Sequence, residues 1–181
     1  MSRYLKWARR PPSTRLLVLT LVLAGGIFLA GVPILIAVAG DRMDRGLGLP
    51  GFGSPVATLM GVLLVICGGG FAFWSVLVQV RLGRGTPVPI VPTQRLVVVP
   101  PYTYCRNPMV LGTATAYLGI AVWRGSLSAI TLVLVIAALL LAYVKVLEEA
   151  ELEARFGPDY LEYKRATPFL IPHLVKRPRQ R

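Results

Sequence analysis

Two small groups of polar side chains interrupt an otherwise apolar chain. Arg106 and Asn107 stand immediately before Pro108, and Glu148 and Glu149 close a later apolar run. About forty residues lie between the groups, enough to cross a bilayer twice at ~1.5 Å per residue. An even number of crossings returns the chain to the side it left, so the two groups are expected to meet on one membrane face. Carboxylates beside lipid are costly unless paired, and an organic cation would pair with Glu148 or Glu149. Arg106 next to a helix N-terminus offers the opposite pole, because free N–H groups there attract anions. A zwitterionic, amino-acid-like ligand fits such a pair of poles. Tyr102, Tyr104, Tyr160 and Tyr163 flank the same stretches. They suit the aromatic belt of a membrane interface, and one or two could stack on an adenine or bond a ribose. Cys105 has no histidine nearby in sequence to act as its base, which argues against a nucleophilic role.

Composition says what solvent these groups sit in. Of 181 residues, 55% are hydrophobic and only 15% charged, against close to ~25% charged in a soluble domain. Leu16–Ala39, Pro55–Val80 and Leu127–Leu147 are each long enough to span a hydrocarbon core, and Met109–Trp123 is a shorter partner of the last. The expected fold is an all-α integral membrane bundle of about four transmembrane helices with a cytoplasmic amphipathic C-terminal extension. The first apolar run exceeds the ~7–15 residues of a signal peptide, so it reads as a retained helix.

The net charge of +12 is unevenly spread. The N-terminal tail carries Arg3, Lys6, Arg9, Arg10 and Arg15 with no acid. The Arg81–Pro108 loop carries Arg81, Arg84, Arg95 and Arg106, again with no acid. The Asp41–Ser54 loop is balanced. Positive-inside counting therefore puts both termini and the Arg81–Pro108 loop in the cytoplasm, in a multi-pass protein of a bacterial plasma membrane. The basic excess matches orientation and anionic headgroups, with no motif for nucleic acid. One histidine, His173, and two separated cysteines do not supply a zinc site of the usual kind, and no metal is expected.

Along the chain, residues 1–15 form a basic interfacial segment, 16–100 two transmembrane helices and a proline-rich loop, and 101–181 the cofactor-binding and catalytic region. Gly25, Gly26 and Gly31 are expected to allow close helix approach, with Pro33 kinking the first span. Gly68, Gly69 and Gly70 read as helix packing, or alternatively as a smooth wall for a flat ligand. The prolines between Gly83 and Pro92 exclude regular helix, and Leu96–Pro101 continues as an extended apolar strip, either a lid or a plain connector. Asn107 is an expected N-cap with Pro108 at the first helical position. The last apolar helix is expected to run unbroken to Phe156, stop at Gly157 and restart at Pro158. Glu151 and Arg155 have i,i+4 spacing and, with Glu153, read as a solvated face.

These residues resemble the membrane methyltransferases typified by isoprenylcysteine carboxyl methyltransferase and phosphatidylethanolamine N-methyltransferase. Asn107 through Gly119 looks like the phosphatidylethanolamine enzyme. Pro101 through Pro108, and Glu148-Glu149 through Tyr163 with Pro172 beyond, are closer to the isoprenylcysteine enzymes. The resemblance covers about the C-terminal half. It implies S-adenosylmethionine as cofactor, S-adenosylhomocysteine as product, and a lipophilic acceptor admitted from the bilayer. It also implies a cofactor site formed by Tyr104, Arg106, Asn107, Pro108, Gly112, Glu148, Glu149 and Tyr160, with Gly68 to Gly70 as a more distant match. The chain departs from the pattern at Asn107, where many relatives have His, and at Val110, where they have Tyr. Phe169 stands where an Arg often precedes the final Pro, a position Lys164 or Arg165 could serve instead.

The resulting expectation is a polytopic methyltransferase acting on a phospholipid amine or an isoprenylcysteine-like carboxylate. Catalytic residues are not identified by the sequence, nor is the oligomeric state. An NADPH-dependent, sterol-reductase-like enzyme and a non-catalytic lipid-binding protein are the alternatives. Cofactor binding separates all three.

Overall fold

The computed structural model describes residues 13–83 and 93–172. The expectations for the N-terminal basic segment, the prolines between Gly83 and Thr93, and His173 with the basic tail lie outside the described residues. Within them every regular element is helical: α1 (Thr14–Leu47), α2 (Pro55–Gly83), α3 (Pro108–Arg124), α4 (Leu127–Phe156) and α5 (Pro158–Ala166). Three of these, α1, α2 and α4, are long and apolar enough to cross a membrane. Their outward faces carry large apolar side chains, Leu29 being 85% exposed, as contact with lipid requires.

Local sequence accounts for the boundaries. Ser13, Ser54 and Ser126 each accept a hydrogen bond from a free amide of the first turn, at 3.2, 3.1 and 3.0 Å. Pro55, Pro108 and Pro158 sit in first turns, where a missing N–H costs nothing. Gly125 ends α3 with φ 64°, and a Cβ there would come within 2.8 Å of the Gly53 amide, so the turn into α4 needs glycine on both counts. Gly157 separates α4 from α5 as the sequence predicts. The first helix is longer than its apolar run: it continues through Asp41, Asp44 and Arg45 to Leu47, where Gly48 stops it. The acids and arginines expected in a loop are thus on the helix end.

Pro33 acts through the turn before it. Between Ile27 and Gly31 the backbone widens to a π turn, and the Val32 amide donates to the Ile27 carbonyl in place of Phe28. The Tyr117 hydroxyl, from α3, donates to that displaced Phe28 carbonyl at 2.6 Å. The glycines around the turn do not pack: Gly25 and Gly26 face open space, and Gly31 meets only its own helix. The expectation of close helix approach there fails, because the neighbouring helix lies on another face.

Close approach occurs instead between α2 and α3. A Cβ on Gly68 would lie 2.6 Å from the Ala116 amide and 2.7 Å from the Gly112 carbonyl, and one on Gly112 would lie 2.7 Å from the Gly68 carbonyl. Gly61 and Gly119 repeat the arrangement seven residues along each helix. The two backbones touch in an antiparallel seam that only hydrogen side chains permit. Gly69 and Gly70 face open space, so packing explains Gly68 alone of the three. Beyond the seam, Ile36 of α1, Ala121 of α3, and Ala129 and Val133 of α4 form the buried core.

A candidate cofactor pocket

The antiparallel alternation of α2, α3 and α4 brings the end of α2, the start of α3 and the polar end of α4 to one end of the bundle. Arg106 is the hub there. Its Nε and Nη2 both donate to Glu149 Oε1, at 3.0 and 2.7 Å, and its Nη1 donates to the carbonyls of Lys164 and Thr167, at 2.8 and 2.6 Å. Lys164 Nζ reaches the other Glu149 oxygen at 3.2 Å. The Arg106 side chain is 12% exposed and that of Glu149 5%. Breaking such a buried pair leaves an uncompensated charge, a cost of ~3–5 kcal/mol. Four of the five guanidinium donors are engaged within the protein, so Arg106 joins α3, α4 and α5 rather than forming an open anion pole. Lys164, considered as a stand-in for the family's arginine, is engaged in the same network.

Asn107 occupies the N-cap position of α3, but its side chain makes no capping bond. Its amide instead donates to the Phe169 carbonyl at 2.9 Å, while the Arg106 amide donates to the Pro168 carbonyl at 2.9 Å. The C-terminal segment is therefore stitched across the start of α3. The Phe169 ring lies under two cations, 5.6 Å from Arg106 and 5.9 Å from Lys145.

A pocket opens beside this hub, with about 580 Å³ of empty space, part of it open to solvent. Arg106, Asn107, Glu148, Glu149 and Tyr160 all line it. Glu148 differs from its neighbour: its side chain is exposed and no cation among the described residues pairs with it. The remaining expected residues are elsewhere. Pro108 is buried in the first turn of α3, and Gly112 has its open face closed by α2 at the seam. Tyr104 packs edge-on against Trp74, with ring centroids 6.2 Å apart. None of these three lines the pocket.

Tyr102 and Tyr163, read from sequence as belt residues of which one or two could meet a ligand, both line the pocket. The Tyr163 hydroxyl donates to the Tyr102 carbonyl at 2.7 Å, and the Tyr102 hydroxyl donates to Gln79 Oε1 at 2.6 Å. Burial pushes the pKa values of Tyr102, Tyr160 and Tyr163 above the ordinary tyrosine value, with the nearby carboxylates Glu148 and Glu149 adding to the effect at Tyr102 and Tyr160 respectively. All three stay neutral donors at physiological pH. Cys105 is fully buried, and burial also holds its thiol above the usual value, which disfavours the thiolate a nucleophile requires.

The far wall is the strip after the proline-rich segment. Leu96 and Val97 face the pocket, while Val98 and Val99 are 42% and 38% exposed. The Gln94 amide donates to the Gly83 carbonyl at 2.6 Å, and Val97 and Thr93 pack so closely on Gly83 that a Cβ would lie 3.1–3.2 Å from them. Arg155 is the unforeseen participant. Its side chain is 6% exposed, bonds Glu151 at 3.1 Å and Phe156 through its ring, and donates to the Thr93 carbonyl. The solvated face expected for Arg155 is covered by this strip, a segment sixty-two positions earlier in the chain. Glu153, 45% exposed, does face solvent.

No curated protein and no solved structure matches the chain. One family model does, that of the phospholipid methyltransferases, over residues 56–159. The matched stretch holds both sides of the glycine seam, the Arg106–Glu149 pair, Glu148 and the pocket strip. The chain is a member of the phospholipid methyltransferase family.

Proposed function

We propose that the pocket binds S-adenosylmethionine and that the protein transfers its methyl group to a lipophilic acceptor, with a phospholipid amine as the favoured class. The observation that carries this reading is Glu148, an exposed and unpaired carboxylate held at the pocket rim by a rigid buried pair, in a member of a methyltransferase family. The chemistry of the lining supports it. A free carboxylate suits an ammonium or ribose hydroxyls, neutral tyrosine hydroxyls suit polar edges, and Leu96, Val97, Val144 and Leu152 supply an apolar surface for an adenine.

When bound, the cofactor would supply an electrophilic methyl group on sulfur. The protein's contribution is then placement. Glu148 and the tyrosines bind, while Arg106, Glu149 and Asn107 fix the walls without touching the reacting atoms. Orientation of this kind removes much of the entropic barrier to a bimolecular displacement. The strip has two faces, Leu96 and Val97 toward the pocket and Val98 and Val99 outward, which supports access for a lipid headgroup from the adjoining leaflet. Phe169 in place of arginine favours an amine over a prenylcysteine carboxylate. The charge asymmetry of the loops favours placing the pocket on the cytoplasmic side.

Thermal denaturation with two ligands tests the reading. S-adenosylhomocysteine is expected to raise the melting temperature in a concentration-dependent way, and NADPH to leave it unchanged. Stabilisation by NADPH alone would favour a reductase, and a response to neither would point to a lipid-binding protein.

A further inference from the structure

With Arg106 engaged, the pocket still presents one guanidinium that nothing neutralises. Arg95 lines it from the strip, its side chain exposed and without an ion-pair partner among the described residues. It shares the pocket with unpaired Glu148, so one open charge of each sign remains. The segment carrying Arg95 is no loose connector. It is bonded to Gly83 through Gln94, packed on Gly83 by Thr93 and Val97, and clamped by Arg155 at the Thr93 carbonyl. Burying a guanidinium nine-tenths deep to hold a single loop carbonyl is costly unless that loop must be held. A free planar fork on a fixed backbone is the arrangement that recognises an oxyanion in two-pronged fashion.

We infer that Arg95 is the oxyanion-binding residue of this pocket and that Arg155 is its positioning residue. The inference rests on the proposed use of the pocket for cofactor and lipid, and it shifts the anion pole from Arg106 to the strip. The oxyanion has two sources, the carboxylate of the methyl donor or the phosphate of a phospholipid acceptor.

Calorimetry on the purified full chain distinguishes them, using S-adenosylhomocysteine and a short-chain phosphatidylethanolamine as separate ligands. Arg95→Gln is expected to weaken one of the two about tenfold or more, the scale of a lost charge-assisted bond, and to leave the other within about twofold. Arg95→Lys should recover part of the loss. The ligand affected names the source. Wild type that binds the lipid but not S-adenosylhomocysteine would sink the cofactor reading while Arg95 is still tested on the lipid. Unchanged affinity of Arg95→Gln for every ligand the wild type binds overturns the inference.

Arg155→Met should weaken the same ligand, speed hydrogen exchange at the Gln94 amide, and add nothing further in an Arg95→Gln background. Fully additive losses would overturn the positioning role. Glu151→Gln, which removes the orienting partner of Arg155 without opening a cavity, provides the same comparison should Arg155→Met fail to fold.

Discussion

The two ends of the bundle handle charge in opposite ways. At the end away from the pocket, Arg124 pairs with Asp41, the Asp44 carboxylate accepts from the Ser128 amide at 3.0 Å, and Gly40 brings α1 against Ser126 and Ala129. These contacts join α1 to α3 and α4, while Arg42 and Arg45 on the same helix end stay exposed, with no ion pair among the described residues. At the pocket end, Arg106 collects acceptors from α4 and from the end of α5, yet Arg95 and Glu148 face the same space with no ion-pair partner among the described residues. The far end uses its acids to join helices and leaves its spare cations on the surface. An end that must receive a ligand keeps charges open and builds a buried framework to hold them still.

Substitutions that damage one end, both or neither test this contrast. The largest effect is expected from the seam that holds both ends in register. Gly68→Leu would drive a side chain into the α3 backbone, at a cost above the ~1–3 kcal/mol of ordinary overpacking. Loss of monodisperse protein in detergent is the expected result, with Gly69→Leu, which points into open space, behaving as wild type. Next comes the framework of the pocket end. Arg106→Met strips Glu149 of its arginine and strands two carbonyl acceptors, and should lower stability by ~3–5 kcal/mol by denaturant titration while abolishing ligand binding.

Glu148→Gln separates binding from framework. Affinity for S-adenosylhomocysteine should fall by ~1–3 kcal/mol with the melting temperature of the unliganded protein unchanged. A matching fall in stability would place Glu148 in the framework instead. The smallest effect belongs to the far end. Arg124→Ala removes a pair whose arginine is 50% exposed, so stability should change by less than ~1 kcal/mol and ligand affinity not at all. A large loss of affinity from this substitution would break the division of labour between the ends.

What the sequence made legible follows the range of the interactions. Helix starts and stops depend on neighbours a turn away, and Ser54, Pro108, Gly157 and Pro158 were readable for that reason. The meeting of Arg106 with the Glu148–Glu149 pair was readable too, because hydropathy requires the hairpin between them. Arg155 was not. Its i,i+4 partner Glu151 was visible, but the Thr93 strip that buries it comes from a distant segment with no periodicity to signal its path. Gly112 misled for a related reason. A resemblance locates a position along the chain without saying whether it faces a ligand or another helix, and the Cβ direction of Gly112 faces Gly68. Tyr104, implied at the cofactor site by the same resemblance, packs against Trp74 and does not line the pocket.

The bonds of Arg106 and Asn107 also impose an order on biogenesis. Both side chains enter the membrane interface early, yet their acceptors are at Glu149, Lys164, Thr167 and Phe169. The guanidinium gains its counter-charge once Glu149 is made, but until translation has passed residue 169 it lacks its carbonyl acceptors and the start of α3 lacks its cover. The hairpin can insert on apolar driving force alone, but the pocket is assembled last, by residues that never enter the bilayer. A nascent chain stalled before α5 would be membrane-integrated, glycine seam included, and still lack the Tyr160 and Tyr163 wall of its pocket.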